Sequence, residues 1–479
     1  MRIEDYGVIG DLQTAALVGK DGSIDWLCFP RFDSGACFAA LLGSDRNGRW
    51  LIAPVCRIDR VERRYSARSL IHELDFHTEL GVVRVYDFMP PRGIDPDVVR
   101  IVEALEGRVP MRMELVIRFD YGHVVPWVRR LDDDTRVAIA GPDGLLLSAS
   151  VDVRGENMST VAEFTVEAGR KESFVLTWFP SHREPPRVIT PEHAFDDTRE
   201  FWDEWLAGCG YSGRYAEAVL RSLMTLKAMT YAPTGGLVAA PTTSLPEQLG
   251  GVRNWDYRYC WLRDASFALT ALVENGFVEE AGAWRSWLLR AVAGDPDDLQ
   301  IMYGPAGERR LTEMELDWLD GYAESRPVRI GNGASEQFQL DVSGEVLDVL
   351  YQARKRGLHP DDSAWALCMH LLRNLEQRWR EPDEGIWEVR GPRRHFTHSK
   401  VMAWVAFDRG IRLVEELGRD GPLDRWRAVR EEIKAEVLER GFDEELDSFV
   451  QAYDVRRLDA SLLTIPLYGF LPPDDPRVR

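Results

Sequence analysis

The chain has 479 residues, a formal net charge of −20 and an apolar fraction of 45%. The length predicts two or three domains, and the apolar fraction predicts a large buried core. The negative charge argues against nucleic acid or anionic lipid as a partner. The chain lacks an apolar run long enough to span a membrane, and its charged N-terminus is not followed by an apolar segment. We therefore expect neither a membrane segment nor a secretory signal, and we expect a cytoplasmic protein.

The first part of the chain predicts short antiparallel strands. Segment 74–88 is largely apolar around Glu-Leu-Gly at 79–81, which is typical of a hairpin turn. A second turn signal at 167–170 separates two strand-like segments, 161–166 and 173–179. Strands of this length and spacing predict an antiparallel β-sandwich domain over residues 1–187.

The pattern changes to helices after a pair of prolines at 185–186. Thr190 followed by Pro191 predicts a helix start, with a hydroxyl at the N-cap and proline in the first turn. We read residues 188–210 as a linker helix and residues 211–479 as a helical domain. Apolar periodicity predicts one helix from about Arg214. It predicts seven more at 261–275, 278–293, 341–356, 361–379, 398–417, 422–440 and 458–470.

Two long loops interrupt these helices, at 231–259 and 295–338, and such loops in a compact domain are usually functional. The stretch 253–264 holds four aromatic residues, three arginines and two aspartates. Aromatic rings pack on the apolar faces of sugars, and Arg263 and Asp264 suit charge-assisted hydrogen bonds to hydroxyls. On spacing alone, an internal Arg–Asp pair among packed aromatics explains the stretch equally well.

Asp341 and Glu345 stand four residues apart on one face of the predicted helix 341–356. A neighbouring carboxylate raises the pKa of one of the two, as a general acid working near neutral pH requires. However, the apolar stripe of this helix lies opposite Glu345, so the pattern alone favours an exposed glutamate. That stripe consists of Leu340, Leu347, Leu350 and Tyr351.

The sequence predicts no metal and no cofactor. His395 and His398 are three residues apart but have no carboxylate or cysteine at ligand spacing. The six cysteines are scattered without a Cys-x-x-Cys pair, which favours buried free thiols. The chain has no glycine-rich phosphate loop and no Gly-x-Ser-x-Gly, so kinases, nucleotide enzymes and serine hydrolases lose support. His398 and Lys400 suit sugar hydroxyls instead, as do Trp387 and Glu388.

Five separated motifs, in order along the chain, carry a family resemblance. They are 3–11 with 22–26, 253–264, 326–332, 339–345 and 396–400. With these motifs the chain resembles the bacterial branch of glycoside hydrolase family 15, which includes glucoamylase, glucodextranase and trehalase-like enzymes. The resemblance implies an N-terminal β-sandwich, a linker helix and an (α/α)6 toroid. It also implies a six-hairpin glycosidase that acts on α-linked glucosides such as trehalose, maltose, isomaltose or dextran.

The resemblance also implies roles for individual residues. Glu345 takes the place of the general acid in single-step inverting hydrolysis, although fungal relatives shift this residue to the position of Gly344. Arg263 and Asp264 would bind the non-reducing glucosyl unit. The other candidate substrate-binding residues are Trp255, Asp256, Tyr257, Trp261, Tyr303, Arg329, Asp341, Trp387, Glu388, His398 and Lys400.

The main departure from the family concerns the general base, which lies in a Glu-Glu-Tyr-Asp-like segment that this sequence lacks. We therefore expect an incomplete barrel without the C-terminal end of the catalytic domain. Two alternatives to hydrolysis remain: sugar binding without turnover, and a phosphorylase with a phosphate pocket at Arg326, Arg329 and Lys400. Unburied apolar residues in 462–467 would promote association, so we expect a poorly soluble chain or a homo-oligomer.

Overall fold

The computed structural model describes residues 1–293 and 299–479, so residues 295–298 of the second predicted loop lie outside the described residues. The chain divides into two compact units. The first unit comprises residues 1–233, 240–258 and 313–331, and the second comprises 234–239, 259–312 and 332–479. Two loop segments of the expected helical domain thus belong to the first unit. The expected boundaries at 187 and 210 stay a prediction.

The first unit is built on a fifteen-stranded antiparallel sheet, as predicted for the N-terminal region. Its strands are β1 Tyr6–Gly10, β2 Ala15–Gly19, β3 Ser23–Cys28, β4 Ala36–Phe38, β5 Arg49–Pro54, β6 Ile58–Tyr65, β7 His72–Thr78, β8 Gly81–Phe88, β9 Asp97–Val116, β10 Trp127–Arg130, β11 Thr135–Ala140, β12 Asp143–Ala149, β13 Arg154–Glu156, β14 Ser159–Glu167 and β15 Lys171–Pro180.

The long strand β9 gives this sheet its two layers. Its first half pairs with β8 and β15, and its second half pairs with β5 and β14. Side chains from both layers share one core, in which Trp50, Phe76 and Leu145 are fully buried. The hairpin predicted at 79–81 is confirmed, because β7 and β8 pair in register up to Thr78 and Gly81.

Eight α-helices lie within the described residues. They are α1 Pro191–Leu206, α2 Ala216–Ala228, α3 Leu262–Glu274, α4 Val278–Ala291, α5 Asp341–Lys355, α6 Asp362–Arg378, α7 Thr397–Leu417 and α8 Leu423–Arg440. The helix predicted at 458–470 is wrong, since that segment holds only a short 3-10 helix at Ala460–Thr464. Pro466 has no N–H with which to continue a helix. The apolar residues that suggested one include Leu463 and Leu467, which are 77% and 80% exposed.

Helices α3 to α8 form the second unit, and their contacts alternate along the chain. The odd-numbered helices adjoin one another, α3 against α5 and α5 against α7, while α4 contacts α6 and α8 packs on α7. This alternation is the arrangement of inner and outer helices in a toroid. The six helices described in this unit are fewer than six hairpins require, so the toroid is incomplete, as predicted.

Ten short strands, all two to four residues long, complete the described structure. They are β16 Thr230–Tyr231, β17 Gly236–Leu237, β18 Thr243–Pro246, β19 Asn254–Asp256, β20 Cys260–Trp261, β21 Met302–Tyr303, β22 Met314–Glu315, β23 Arg329–Ile330, β24 Phe442–Asp443 and β25 Ser448–Phe449. The pairs β18–β19 and β22–β23 account for the loop segments of the first unit. Across the described residues, no helix is long and apolar enough to cross a membrane.

Candidate active site

The three inner helices of the second unit begin with polar side chains. Arg263 and Asp264 lie in the first turn of α3, Asp341 begins α5, and His398 is the second residue of α7. Helix N-termini carry partial positive charge and free N–H groups, which favours anionic and hydroxyl-rich ligands there. The charge of Arg263 influences the pKa of Asp341, Glu345 and His398, so motifs far apart in sequence converge here.

Arg263 is the fixed cation of this cluster. One guanidinium nitrogen, Nη1, donates to the Ile386 carbonyl at 2.9 Å. The other, Nη2, donates to Asp264 Oδ2 at 3.1 Å and to Glu388 Oε1 at 2.9 Å. The Trp261 indole N–H donates to the same Glu388 oxygen at 2.7 Å. Glu388 has a φ of 52°, a conformation that costs a non-glycine residue some strain and that these bonds hold in place.

Asp341 is a fully buried carboxyl group to which no side chain of the described residues donates a hydrogen bond, while the backbone N–H groups of Asp341 and Val342 favour its charged form. Burial raises its pKa to about 6, and the positive charge of Arg263 opposes that rise. Two carboxyl oxygens beside a fixed guanidinium suit the hydroxyl groups of a sugar.

Glu345 lies one turn after Asp341 and is only 1% exposed. Burial raises its pKa well above the ordinary value, and the charges of Asp341 and Asp348 add to the rise. The exposed position expected from the helical pattern is wrong. Helix α5 contacts α3 and α7, so it has no solvated face at Glu345. The result is a buried carboxyl group whose pKa lies well above that of an exposed glutamate.

Gly344 sets how closely α5 approaches α7. A Cβ atom at this position would lie 2.3 Å from the Met402 carbonyl oxygen, so the backbones touch where a side chain would otherwise stand. No carboxylate fits at 344 without moving a helix. In this turn an acidic side chain therefore fits at 345 and not at 344.

His398 and Lys400 share the first turn of α7 but have different surroundings. His398 is buried, and neither ring nitrogen has a hydrogen-bond partner in the described parts of the chain. Burial lowers its pKa to about 4, so the neutral ring can donate one hydrogen bond and accept another. Lys400 donates to the Glu381 carbonyl at 2.7 Å and to the Trp379 carbonyl. Its predicted contact with substrate stays a prediction.

Trp387 offers a half-exposed ring in the same unit, at 49% exposure. Its indole N–H donates to both oxygens of Asp459, at 3.0 and 2.9 Å. Asp459 in turn accepts from the Gln451 side-chain amide at 2.7 Å and from the Ser461 backbone at 2.8 Å. The ring is thus held in place before any ligand arrives. No sequence pattern indicated this contact, because Trp387 and Asp459 lie far apart along the chain.

Asp383 is a further buried carboxyl group, and it was not predicted from the sequence. Burial raises its pKa to about 7, and the charge of Asp341 adds to the rise. One oxygen accepts the Leu340 backbone N–H at 3.0 Å, which fixes the start of α5. Asp383 lies close in sequence to Trp387 and Glu388, which were predicted to contact sugar. That proximity is the one sequence feature that could have indicated Asp383.

Four predicted site residues lie in the first unit. Asp256 accepts two hydrogen bonds from the Arg258 guanidinium, at 2.9 and 2.7 Å, and one each from the Arg258 and Gly331 backbone N–H groups at 3.1 Å. The Arg329 guanidinium lies 4.7 Å from the centre of the Trp255 ring. The fourth, Tyr257, is partly buried. These contacts are internal to the unit, so the predicted substrate roles of all four residues stay predictions.

Tyr303 belongs to the second unit, where its ring is fully buried and meets Trp287 edge to face. Its predicted contact with a second sugar likewise stays a prediction. As for metals, the described residues contain no group of three or more His, Cys, Asp or Glu side chains arranged to hold an ion.

Comparison with known proteins agrees with this architecture. The sequence profile of Glycosyl hydrolases family 15 matches residues 213–478, and a profile described as trehalase-like, N-terminal, matches residues 1–192. The trehalase of Mycolicibacterium smegmatis is 40% identical, over the whole chain and 75% of its own length. The trehalase of Thermoplasma volcanium is 32% identical, over 99% of the chain and 77% of its own length.

A solved structure supports the fold. A bacterial glucoamylase complexed with acarbose superposes over the whole chain and 77% of its own length, with a TM-score of 0.66 and 12% sequence identity. The chain therefore spans about three quarters of the length of each of these relatives. The family resemblance predicted from the five motifs is confirmed: the chain belongs to glycosyl hydrolases family 15 and is a trehalase-like glycoside hydrolase.

Proposed function

We propose that this protein hydrolyses an α-linked glucoside, with trehalose as the first candidate, and that Glu345 protonates the leaving oxygen. The observation that carries the proposal is the burial of Glu345, which raises the pKa of its carboxyl group, next to Asp341, Arg263 and His398 at the start of the inner helices. The names of the relatives support the choice of trehalose, because both were described as trehalases.

The chemistry of the leaving step favours this assignment. A glycosidic oxygen is a poor leaving group until a proton reaches it, and an acid with a raised pKa delivers that proton near neutral pH. After the transfer, Glu345 carries a charge. The nearby guanidinium of Arg263 and the Tyr468 hydroxyl, which lies 3.3 Å from Glu345 Oε1, favour that charged form.

Recognition of the glucosyl unit is assigned to polar groups at the start of the inner helices and to the Trp387 ring. The oxygens of Asp341 accept hydrogen bonds from sugar hydroxyls, and the neutral ring of His398 both donates and accepts. Asp264 has a side chain that is 38% exposed and is held only by Arg263 among the bonds described above. The ring of Trp387 gives a flat apolar face for one side of a sugar.

Inversion also needs a second carboxylate, about 6.5–9.5 Å from the first, to activate water. Because the sequence has no Glu-Glu-Tyr-Asp-like segment, sugar binding without turnover is the competing function. The two functions share Arg263, Asp341 and His398, and they differ only in whether glucose is released.

The test is glucose release from trehalose, maltose, isomaltose and dextran, with binding of each sugar measured by calorimetry. We expect release by the wild type and loss of release, with binding kept, in Glu345→Gln. The matched control is Glu432→Gln, since Glu432 is half-exposed on α8 and pairs with Arg380. Binding without release by the wild type would establish the competing function. Undiminished release by Glu345→Gln would refute the acid assignment.

A further inference from the structure

The segment 459–471 brings a tyrosine to the candidate acid without forming a regular α-helix. Tyr468 is buried, and its hydroxyl donates to Glu345 Oε1 at 3.3 Å. No element of the family motifs includes this residue. Among the hydrogen bonds of the described residues, this is the one that reaches the Glu345 carboxylate.

The tyrosine is held in place by a buried arginine on the adjacent inner helix. Arg409, in α7, donates from Nη2 to the Tyr468 carbonyl at 2.9 Å. Its Nε donates to Asp348 Oδ1 at 2.7 Å, and its Nη1 donates to Asp408 Oδ2 at 2.6 Å. Asp348 lies three residues after Glu345 on α5. One guanidinium thus fixes the helix that carries the acid and the segment that carries the tyrosine.

A buried arginine with three partners gives a well-defined geometry, because each donor of the planar guanidinium has a fixed direction. The three partners lie on α5, α7 and the C-terminal segment. A shift of any one of them would leave a buried donor or acceptor unpaired, which is unfavourable. The arrangement therefore limits how far the Tyr468 backbone can move relative to α5, which carries Glu345.

We propose that Tyr468 is a positioning residue for Glu345, held by Arg409, and that its hydroxyl sets the orientation and the ionisation of the acid. The proposal rests on the role proposed above for Glu345. Tyr468 does not need to touch the sugar, since its hydroxyl is directed at the carboxyl group.

The sign of the effect follows from the direction of the hydrogen bond. An O–H that donates to a carboxylate favours the ionised form, so Tyr468 lowers the pKa of Glu345 against the larger effect of burial. Three other charged groups also act on the pKa of Glu345, and a fourth pairs with one of them. These four side chains lie on three helices. They are Asp341 and Asp348 on α5, Arg263 on α3, and Arg409 on α7.

The direct test is a pH titration of the Glu345 carboxyl group by ¹³C NMR on protein labelled at glutamate side chains. The Glu345 resonance is the one missing from the spectrum of Glu345→Gln. In Tyr468→Phe we expect the titration midpoint to rise by about one pH unit, because a hydrogen bond to a charged group is lost. This measurement does not depend on turnover, so it decides the inference even if the wild type releases no glucose.

The matched control is Tyr453→Phe. Tyr453 lies in the same unit, and its ring stacks on His395, 5.9 Å away between centroids. We expect an unchanged midpoint in this variant. An unchanged or lowered midpoint in Tyr468→Phe, with the fold intact by circular dichroism, would overturn the inference. An equal rise in both variants would also overturn it, because the effect would then not be specific to Tyr468.

Turnover gives a second readout. In Tyr468→Phe the alkaline limb of the kcat/KM profile should move up by the same amount, with kcat lowered and KM changed less than about twofold. A fall in activity without any shift of the limb would mean a merely structural role. Activity that survives Glu345→Gln would instead refute the proposed function, so the two failures are distinguishable.

Discussion

Substitution of Gly344 by alanine is the most direct probe of how α5 meets α7. The new Cβ atom would stand 2.3 Å from the Met402 carbonyl oxygen and 2.9 Å from its carbon. Non-bonded atoms rest at roughly 3.5 Å, so the two helices must separate by about 1 Å. Overpacking of this kind costs about 1–3 kcal/mol, against a gain of up to about 1 kcal/mol from the helix propensity of alanine. Because the neighbouring atom belongs to the backbone, the upper part of that cost applies, and we expect a net loss of at least about 1 kcal/mol.

The assay is urea unfolding followed by far-UV circular dichroism, with Gly282→Ala as the matched control. Gly282 is also inside a helix, α4, but its new Cβ would meet only the flexible end of Leu358 at 3.3 Å. We expect the control to be as stable as the wild type or more so. If Gly344→Ala were equally stable, the close approach of α5 and α7 would not constrain the site, and the reasoning would be refuted.

Three further substitutions test single contacts. Asp341→Asn should be more stable than the wild type at pH 7 by about 2–3 kcal/mol and should bind sugar less tightly. The folded-state pKa of about 6 lies above the ordinary 3.8, so the wild type loses stability as pH rises between those values; urea unfolding across this range checks it. Trp387→Ala should weaken sugar binding, measured by calorimetry, about threefold to tenfold, and Trp387→Phe should restore most of the affinity. Unchanged binding in Trp387→Ala would show that the sugar does not pack on this ring. Lys400→Met leaves the carbonyls of Trp379 and Glu381 without this donor and should lower the free energy of unfolding by about 1–3 kcal/mol. Loss of sugar binding at unchanged stability would instead assign Lys400 to substrate binding.

Local sequence signals located most of the regular structure. The helix expected at 278–293 is observed at Val278–Ala291, and the one expected at 422–440 at Leu423–Arg440. Proline after threonine marked the start of α1 correctly. These features depend on neighbouring residues, which is why a pattern of period 3.6 or a turn signal finds them.

The features that determine the site were less accessible, because they depend on contacts between distant segments. The helical pattern predicted that Glu345 is exposed to solvent, because it assumes that only one side of a helix is buried. In the structure α5 contacts both α3 and α7, so Glu345 is buried as well. Segment 458–470 contains enough apolar residues to suggest a helix. It also contains Pro466, which has no N–H with which to continue one. Asp459 and Tyr468 carry no motif, and only the folded chain brings them to Trp387 and Glu345.

The central claim, that Glu345 is the acid of this glycosidase, is tested most directly by changing the leaving group. Hydrolysis of trehalose requires protonation of the leaving oxygen. In α-glucosyl fluoride the leaving group is fluoride, which departs without being protonated by a general acid. We predict that Glu345→Gln lowers kcat/KM on trehalose by about 10²–10⁴-fold and changes it little on α-glucosyl fluoride. Equal losses on both substrates, or no loss on trehalose, would contradict the claim.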